Sequence, residues 1–150
     1  MPQDITTETA ITIAAPVASV WEALTTPELI ERWFFGVHTE TDWKEGSPIV
    51  HRGEYQGMPY EDKGTIVAID PPRRLVHTHW SPVSGVPDSE EHYQQVTWTL
   101  AEEQGSTVLT VSETNLPSDH AKTTSEQAWT SALAALKDVV ETETGPLRET

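Results

Sequence analysis

The 150-residue sequence predicts a single α+β domain, in which a curved seven-stranded antiparallel sheet wraps one long C-terminal helix and leaves a ligand-sized space between them. Three observations predict this class. From residue 36 to 114 apolar and polar side chains alternate with period two, interrupted by turn residues. From residue 118 to 143 the apolar side chains fall at helical spacing, with no Pro or Gly in the run. Before the sheet region, two short helical segments follow an opening strand.

In chain order, Ile5 to Ile13 reads as the first strand, carrying the alternation Ile11-Thr12-Ile13. Pro16 marks the first helix, whose apolar face is Val17, Val20, Trp21 and Leu24. Thr26-Pro27-Glu28 repeats the start signal, with a hydroxyl cap, a proline and an acid near the positive helix end. Leu29, Ile30 and Trp33 share a face of this second helix. The strands expected next are Val37 to Trp43, Ile49 to Tyr55, Lys63 to Asp70, Arg74 to Trp80, Glu91 to Leu100 and Thr107 to Thr114. Glu45-Gly46, Gln56-Gly57, Asp70-Pro71-Pro72, Gly85-Val86-Pro87 and Gln104-Gly105 are the turns, so the strands form an antiparallel meander. Ser81 to Ser89 is the longest loop and the expected mobile lid. In the last helix Ala121, Ser125, Trp129, Leu133, Leu136 and Val140 share one face, and Ser118 and Thr123 both suit its cap. It is the only element long enough to cover the sheet.

Composition narrows the function. One sizeable core fits this length, and six tryptophans supply much of its area. No apolar run is long enough to span a membrane, and the N-terminus lacks the pattern of a signal peptide. The absence of cysteine excludes disulfides, thiolate metal sites and thiol nucleophiles. The expected location is cytoplasmic. The net charge of −15 reads as a solvated, self-repelling surface, with a steered cationic partner as the alternative. Nine scattered basic residues argue against nucleic acid, and an anionic membrane would repel the domain. No GxSxG motif, phosphate loop or dinucleotide fingerprint occurs, so no cofactor is expected.

Ile11 to Pro16, Val20 to Thr25 and Pro27 to Phe34 together resemble the opening of the AHSA1-like (activator of Hsp90 ATPase homologue) branch of the START/SRPBCC superfamily. Gly64 to Val76 resembles its central hairpin, and Trp129 with Ala132, Leu133 and Leu136 its closing helix. The resemblance spans roughly residues 11–142. It implies the helix-grip (START/Bet v 1-like) fold and a hydrophobic cavity, without implying one activity.

Strand faces nominate the site. Val96, Trp98 and Leu100 share a face that should point inward, as do Leu109, Val111 and Glu113. Leu75, His77 and His79 share one face of their strand, and Val76, Thr78 and Trp80 the other. The resemblance puts the histidines inside; the residues alone leave either face open. His51 shares a face with Ile49. The candidate ligand-binding set is therefore Trp33, Phe34, Trp43, His51, Tyr55, His77, His79, Tyr93, Trp98, Glu113, Trp129 and Leu133, with His92 nearby. Trp21 reads as core, and Arg73 and Arg74 as turn and surface residues.

Three chemistries suit His51, His77, His79 and Glu113: mutually hydrogen-bonded structural polar groups, a His–Glu acid–base pair with His77, His79 and Glu113 as catalytic candidates, or a metal site. No tight metal motif such as HExxH is present, so no metal is assigned. The leading function is binding of a small, largely apolar molecule (lipid, aromatic or polyketide-like) in the internal cavity. The alternatives are a cyclase, dehydratase or hydrolase using the His–Glu pair, and an Hsp90-related interaction module. For the last, the 150 residues are not expected to hold the further N-terminal domain of the true co-chaperones, which counts against stimulation of Hsp90 ATPase. A homodimer is a possible assembly.

Overall fold

The computed structural model describes residues 5–82 and 86–144, apart from the side chains of Tyr55, Glu143 and Thr144. Strand β1 (Thr7–Ile13) leads into helices α1 (Val17–Thr25) and α2 (Pro27–Trp33). A meander follows: β2 (His38–Thr41), β3 (Pro48–Tyr55), β4 (Met58–Asp70), β5 (Arg74–His79), β6 (Gln94–Glu103) and β7 (Ser106–Thr114). Helix α3 (Asp119–Thr144) closes the fold. The sheet order is β1-β7-β6-β5-β4-β3-β2, antiparallel throughout, so only the first strand leaves sequence order, to flank the last. This is the expected helix-grip architecture.

Local chemistry explains the elements and their departures from expectation. Pro16 stands at the position before α1 rather than inside its first turn. Thr26 occupies the cap of α2, with Pro27 in the first turn, but its hydroxyl makes no capping bond. That residue also closes α1, so one extended residue serves two helix ends. The Gln56-Gly57 and Gln104-Gly105 loops both have two successive positive φ angles, the signature of the two-residue hairpin turn whose twist matches its strands. The first of these lets β4 begin at Met58, five residues before the expected start. β6 instead begins late, at Gln94, because Glu90–His92 coil into a 3₁₀ turn. β2 is cut short, and Trp43 beyond it takes a positive φ. Val83, Ser84 and Gly85 of the expected lid lie outside the described residues, as does the tail from residue 145.

α3 is capped by Ser118, whose Oγ accepts from the Ala121 N–H at 3.1 Å. Its 26 residues span about 39 Å. Leu133, Leu136 and Val140 bury one helical face against Ile13, Leu109 and Val111 in the core cluster. Two bonds pin the same half of α3 to the end of β1: Lys137 Nζ donates to the Thr12 carbonyl at 3.0 Å, and the Ala14 N–H donates to Glu141 Oε2 at 2.8 Å. Trp21 packs against the core cluster, while Arg73 and Arg74 are exposed. Among the described residues no helix is long and apolar enough to cross a membrane.

Candidate functional site

Between the inner face of the sheet and α3 lies a hollow of about 80 Å³. Its apolar wall is aromatic. Trp33 and Phe34 come from the end of α2, Trp43 from beyond β2, Trp98 from β6 and Trp129 from α3. Phe34 and Trp129 lie parallel, with ring centroids 6.1 Å apart and planes 2° apart. Trp98 meets Trp129 edge-on at 5.4 Å and Trp33 at 5.7 Å. The Trp33 ring is fixed by its N–H, which donates to the buried Ala23 carbonyl at 2.8 Å.

The rest of the lining is polar and adjoins the aromatic part, the Phe34 ring meeting that of His51 edge-on at 6.2 Å. His51 from β3 and His77 and His79 from β5 all border the hollow, as does Glu113 from β7. Period two makes this possible: Leu75, His77 and His79 share one face of β5, and the pairings Leu75 with Trp98 and His77 with Val96 keep that face inward. The imidazole of His51 sits 5.9 Å from that of His77 and 6.0 Å from that of His79.

Each polar group has a distinct partner. His51 Nδ1 lies 3.0 Å from the buried Thr39 hydroxyl on β2. His77 Nδ1–H donates to the Thr78 carbonyl at 3.0 Å. His79 Nε2–H donates to Asp62 Oδ2 on β4 at 3.0 Å. Trp129 Nε1–H donates to Glu113 Oε1 at 3.0 Å. Neither His77 nor His79 hydrogen-bonds Glu113 among the described residues, so the anticipated His–Glu pair is replaced by His–Asp. Glu113 instead anchors α3 to the sheet and reaches His79 only through its charge.

These environments divide the three histidines into two protonation states. Burial, above all, pushes His77 down to about 4, with its Thr78 bond opposing and the charge of His79 assisting. Burial also drives His51 well below the ordinary imidazole value, aided by repulsion from His77 and His79. Burial is the largest single effect on His79 too, yet it is outweighed. The hydrogen bond and charge of Asp62, the charge of Glu113 and a bond to Gln94 together raise His79 above the ordinary value. The wall thus favours neutral rings at His51 and His77 and the protonated ring at His79.

Asp62→Asn tests that pairing. The amide removes the largest support of the protonated ring while burial still opposes it, so the His79 pKa is expected to drop. An NMR titration of the His79 ring checks this; an unchanged midpoint would show that Asp62 does not hold the proton.

Of the candidate residues, Trp33, Phe34, Trp43, His51, His77, His79, Trp98, Glu113 and Trp129 are brought together around the hollow. Leu133 is buried in the core and does not border it. Tyr93 is a correction. It precedes the late-starting β6, stacks on Trp80 at 6.4 Å, and donates from its hydroxyl to the exposed Asp88 at 2.7 Å, away from the hollow. The Tyr55 side chain lies outside the described residues. His92 bonds Ser89 and borders a second, outer chamber of about 470 Å³ at the open end of α3. His79 and Glu113 border both chambers. Sequence reasoning missed Asp62 and Thr39, which lie across from His51 on either side. The pattern Tyr60, Asp62, Gly64, Ile66 was the available signal for Asp62. Among the described residues no three metal-ligating side chains are grouped to hold a metal ion.

The comparisons agree with this architecture. The solution structure of ChR145 from Cytophaga hutchinsonii is 37% identical, with a TM-score of 0.81 over 95% of this chain and 98% of that one. The crystal structure of CalU16 from Micromonospora echinospora is 26% identical, with a TM-score of 0.71 over 96% of this chain and 78% of that one. DynU16, a protein of the dynemicin biosynthetic locus, shares the fold at 24% identity and a TM-score of 0.73. The match covers 93% of this chain and 48% of DynU16. No curated protein matches the sequence. The family model described as activator of Hsp90 ATPase homolog 1-like protein matches residues 14–141, most of the chain. The chain therefore belongs to the AHSA1 family, within the START/SRPBCC superfamily.

Proposed function

We propose that the chain binds a small, largely apolar ring compound in the hollow between the sheet and α3. The observation that carries this reading is the juxtaposition of Phe34, Trp98 and Trp129 with three imidazoles around one hollow. Small-molecule sites are commonly apolar and aromatic, with a few placed polar groups. At about 80 Å³ the hollow is well below the roughly 300–1,000 Å³ of a drug-sized pocket, which favours a single ring over an acyl chain or a polycyclic compound. Binding is also a better use of the polar wall than proton transfer. Its charged groups are engaged with each other and with the protein: His79 with Asp62, and Glu113 with Trp129.

Calorimetry and thermal unfolding with p-xylene, p-cresol and palmitate test the reading. A ring compound at about ten times its Kd should stabilise the fold by about 1.4 kcal/mol. That corresponds to a rise in Tm of roughly 3–5 °C for a chain of this size. Palmitate should leave Tm unchanged. If neither ring compound gives heat or a shift in Tm, the reading fails.

A further inference from the structure

Within that reading, the polar wall carries information about the ligand. His77 is 7% exposed and borders the hollow. Its Nδ1 faces the Thr78 carbonyl, which can only accept, so that nitrogen carries the ring proton. A neutral imidazole has one proton, and the Nε2 atom is then left with a bare lone pair. Among the described residues nothing donates to Nε2. The ring of His51 lies beside that of His77, with centroids 5.9 Å apart. Among the described residues the fully enclosed side-chain atoms left without a partner are Thr7 Oγ1 and Asp62 Oδ1, so Nε2 of His77 is instead an accessible lone pair on a residue that borders the hollow, where a donor on an occupant can reach it.

His51 is less decisive. Its Nδ1 meets a hydroxyl that can donate or accept, so its Nε2 has no fixed role. His79 is committed to Asp62 and Gln94. His77 is therefore the one ring on this wall whose free nitrogen has an assigned role. Burial supports that assignment, because it holds His77 neutral across the neutral range.

We propose that the hollow selects ring compounds bearing an O–H or N–H group, a phenol in the simplest case, which donates to Nε2 of His77. His77 then sets specificity rather than overall affinity. An apolar cavity with no acceptor would prefer the hydrocarbon, because a buried hydroxyl without a partner is penalised.

p-Cresol and p-xylene make a matched pair, alike in size and differing in one hydroxyl against one methyl. Their affinities are measured by calorimetry in the native protein and in His77→Phe. The native protein is expected to bind p-cresol more tightly. The p-cresol to p-xylene affinity ratio is expected to fall by about tenfold or more in the variant, in line with the loss of one buried hydrogen bond. If both compounds bind and the ratio is the same in the two proteins, this inference is overturned while the proposed function stands. If neither binds the native protein, the proposed function itself fails and the inference falls with it. Histidine ¹⁵N spectra of the native protein give a reading that does not depend on the variant folding. p-Cresol should move the Nε2 resonance of His77 and p-xylene should not. Equal response to both would also overturn the inference.

Discussion

Acidification from about pH 7 to about pH 4.5 is expected to destabilise the fold by about 2 kcal/mol through His77 alone. The folded-state pKa is pushed down to about 4, whereas an unfolded chain titrates near the ordinary imidazole value of 6.5. Between those values the unfolded chain binds a proton that the folded chain refuses. Each pH unit in that window costs about 1.4 kcal/mol. His51 acts in the same direction, because burial depresses it too. His79 has the opposite sign. Its folded pKa is raised, so its contribution is complete below the ordinary value and fades as pH rises through the folded one. Urea unfolding across this range checks the effect, with His77→Phe as the comparison. The variant cannot take up the proton, so its acid loss should be smaller by about 2 kcal/mol. Equal acid loss in both proteins would mean that His77 is not held neutral by the fold.

Gly64→Ala is expected to cost about 3 kcal/mol or to prevent folding. A Cβ at this position would stand 1.8 Å from the Thr78 carbonyl oxygen and 2.5 Å from its carbon. Both are backbone atoms, so no side-chain rotation relieves the clash. The close approach has a purpose in the sheet. β4 and β5 shift register between Ile66 and Ala68, and the Lys63–Trp80 bridge holds the far end of the pairing. Gly64 lets the peptide between His77 and His79 press against β4, where Asp62 reaches His79. Gly53→Ala is the contrast. The nearest atoms to its Cβ, at 2.7–3.2 Å, belong to the Tyr60 side chain, which can swing away, so less than about 1 kcal/mol is expected. Chemical denaturation of both variants separates the cases; similar stabilities would refute the backbone-clash explanation.

Much of this architecture was legible because period and punctuation agreed. The apolar face of α3, the order of the meander and the inward set Leu109, Val111 and Glu113 follow from spacing alone. The orientation of β5 was not legible, since both of its faces carry apolar and aromatic side chains. The pairing of Leu75 with Trp98 on β6 sets it in the fold. Asp62 was hidden because the run Met58 to Asp62 contains a proline and two acids and lacks strand-like composition. The tight Gln56-Gly57 turn pairs it with β3 regardless. That pairing places Asp62 beside His51 and within reach of His79, a contact between residues far apart in sequence. Tyr93 was misplaced for a converse reason, because the 3₁₀ turn ahead of β6 removed three residues from the strand. Which carboxylate partners which histidine depends on such details of strand length.

The most direct test is a crystal structure of the protein grown with p-xylene. The ring is expected to occupy the inner hollow, bordered by Phe34, Trp98, Trp129, His51 and His77. An inner hollow closed by protein side chains, with p-xylene bound elsewhere or not at all, would contradict it.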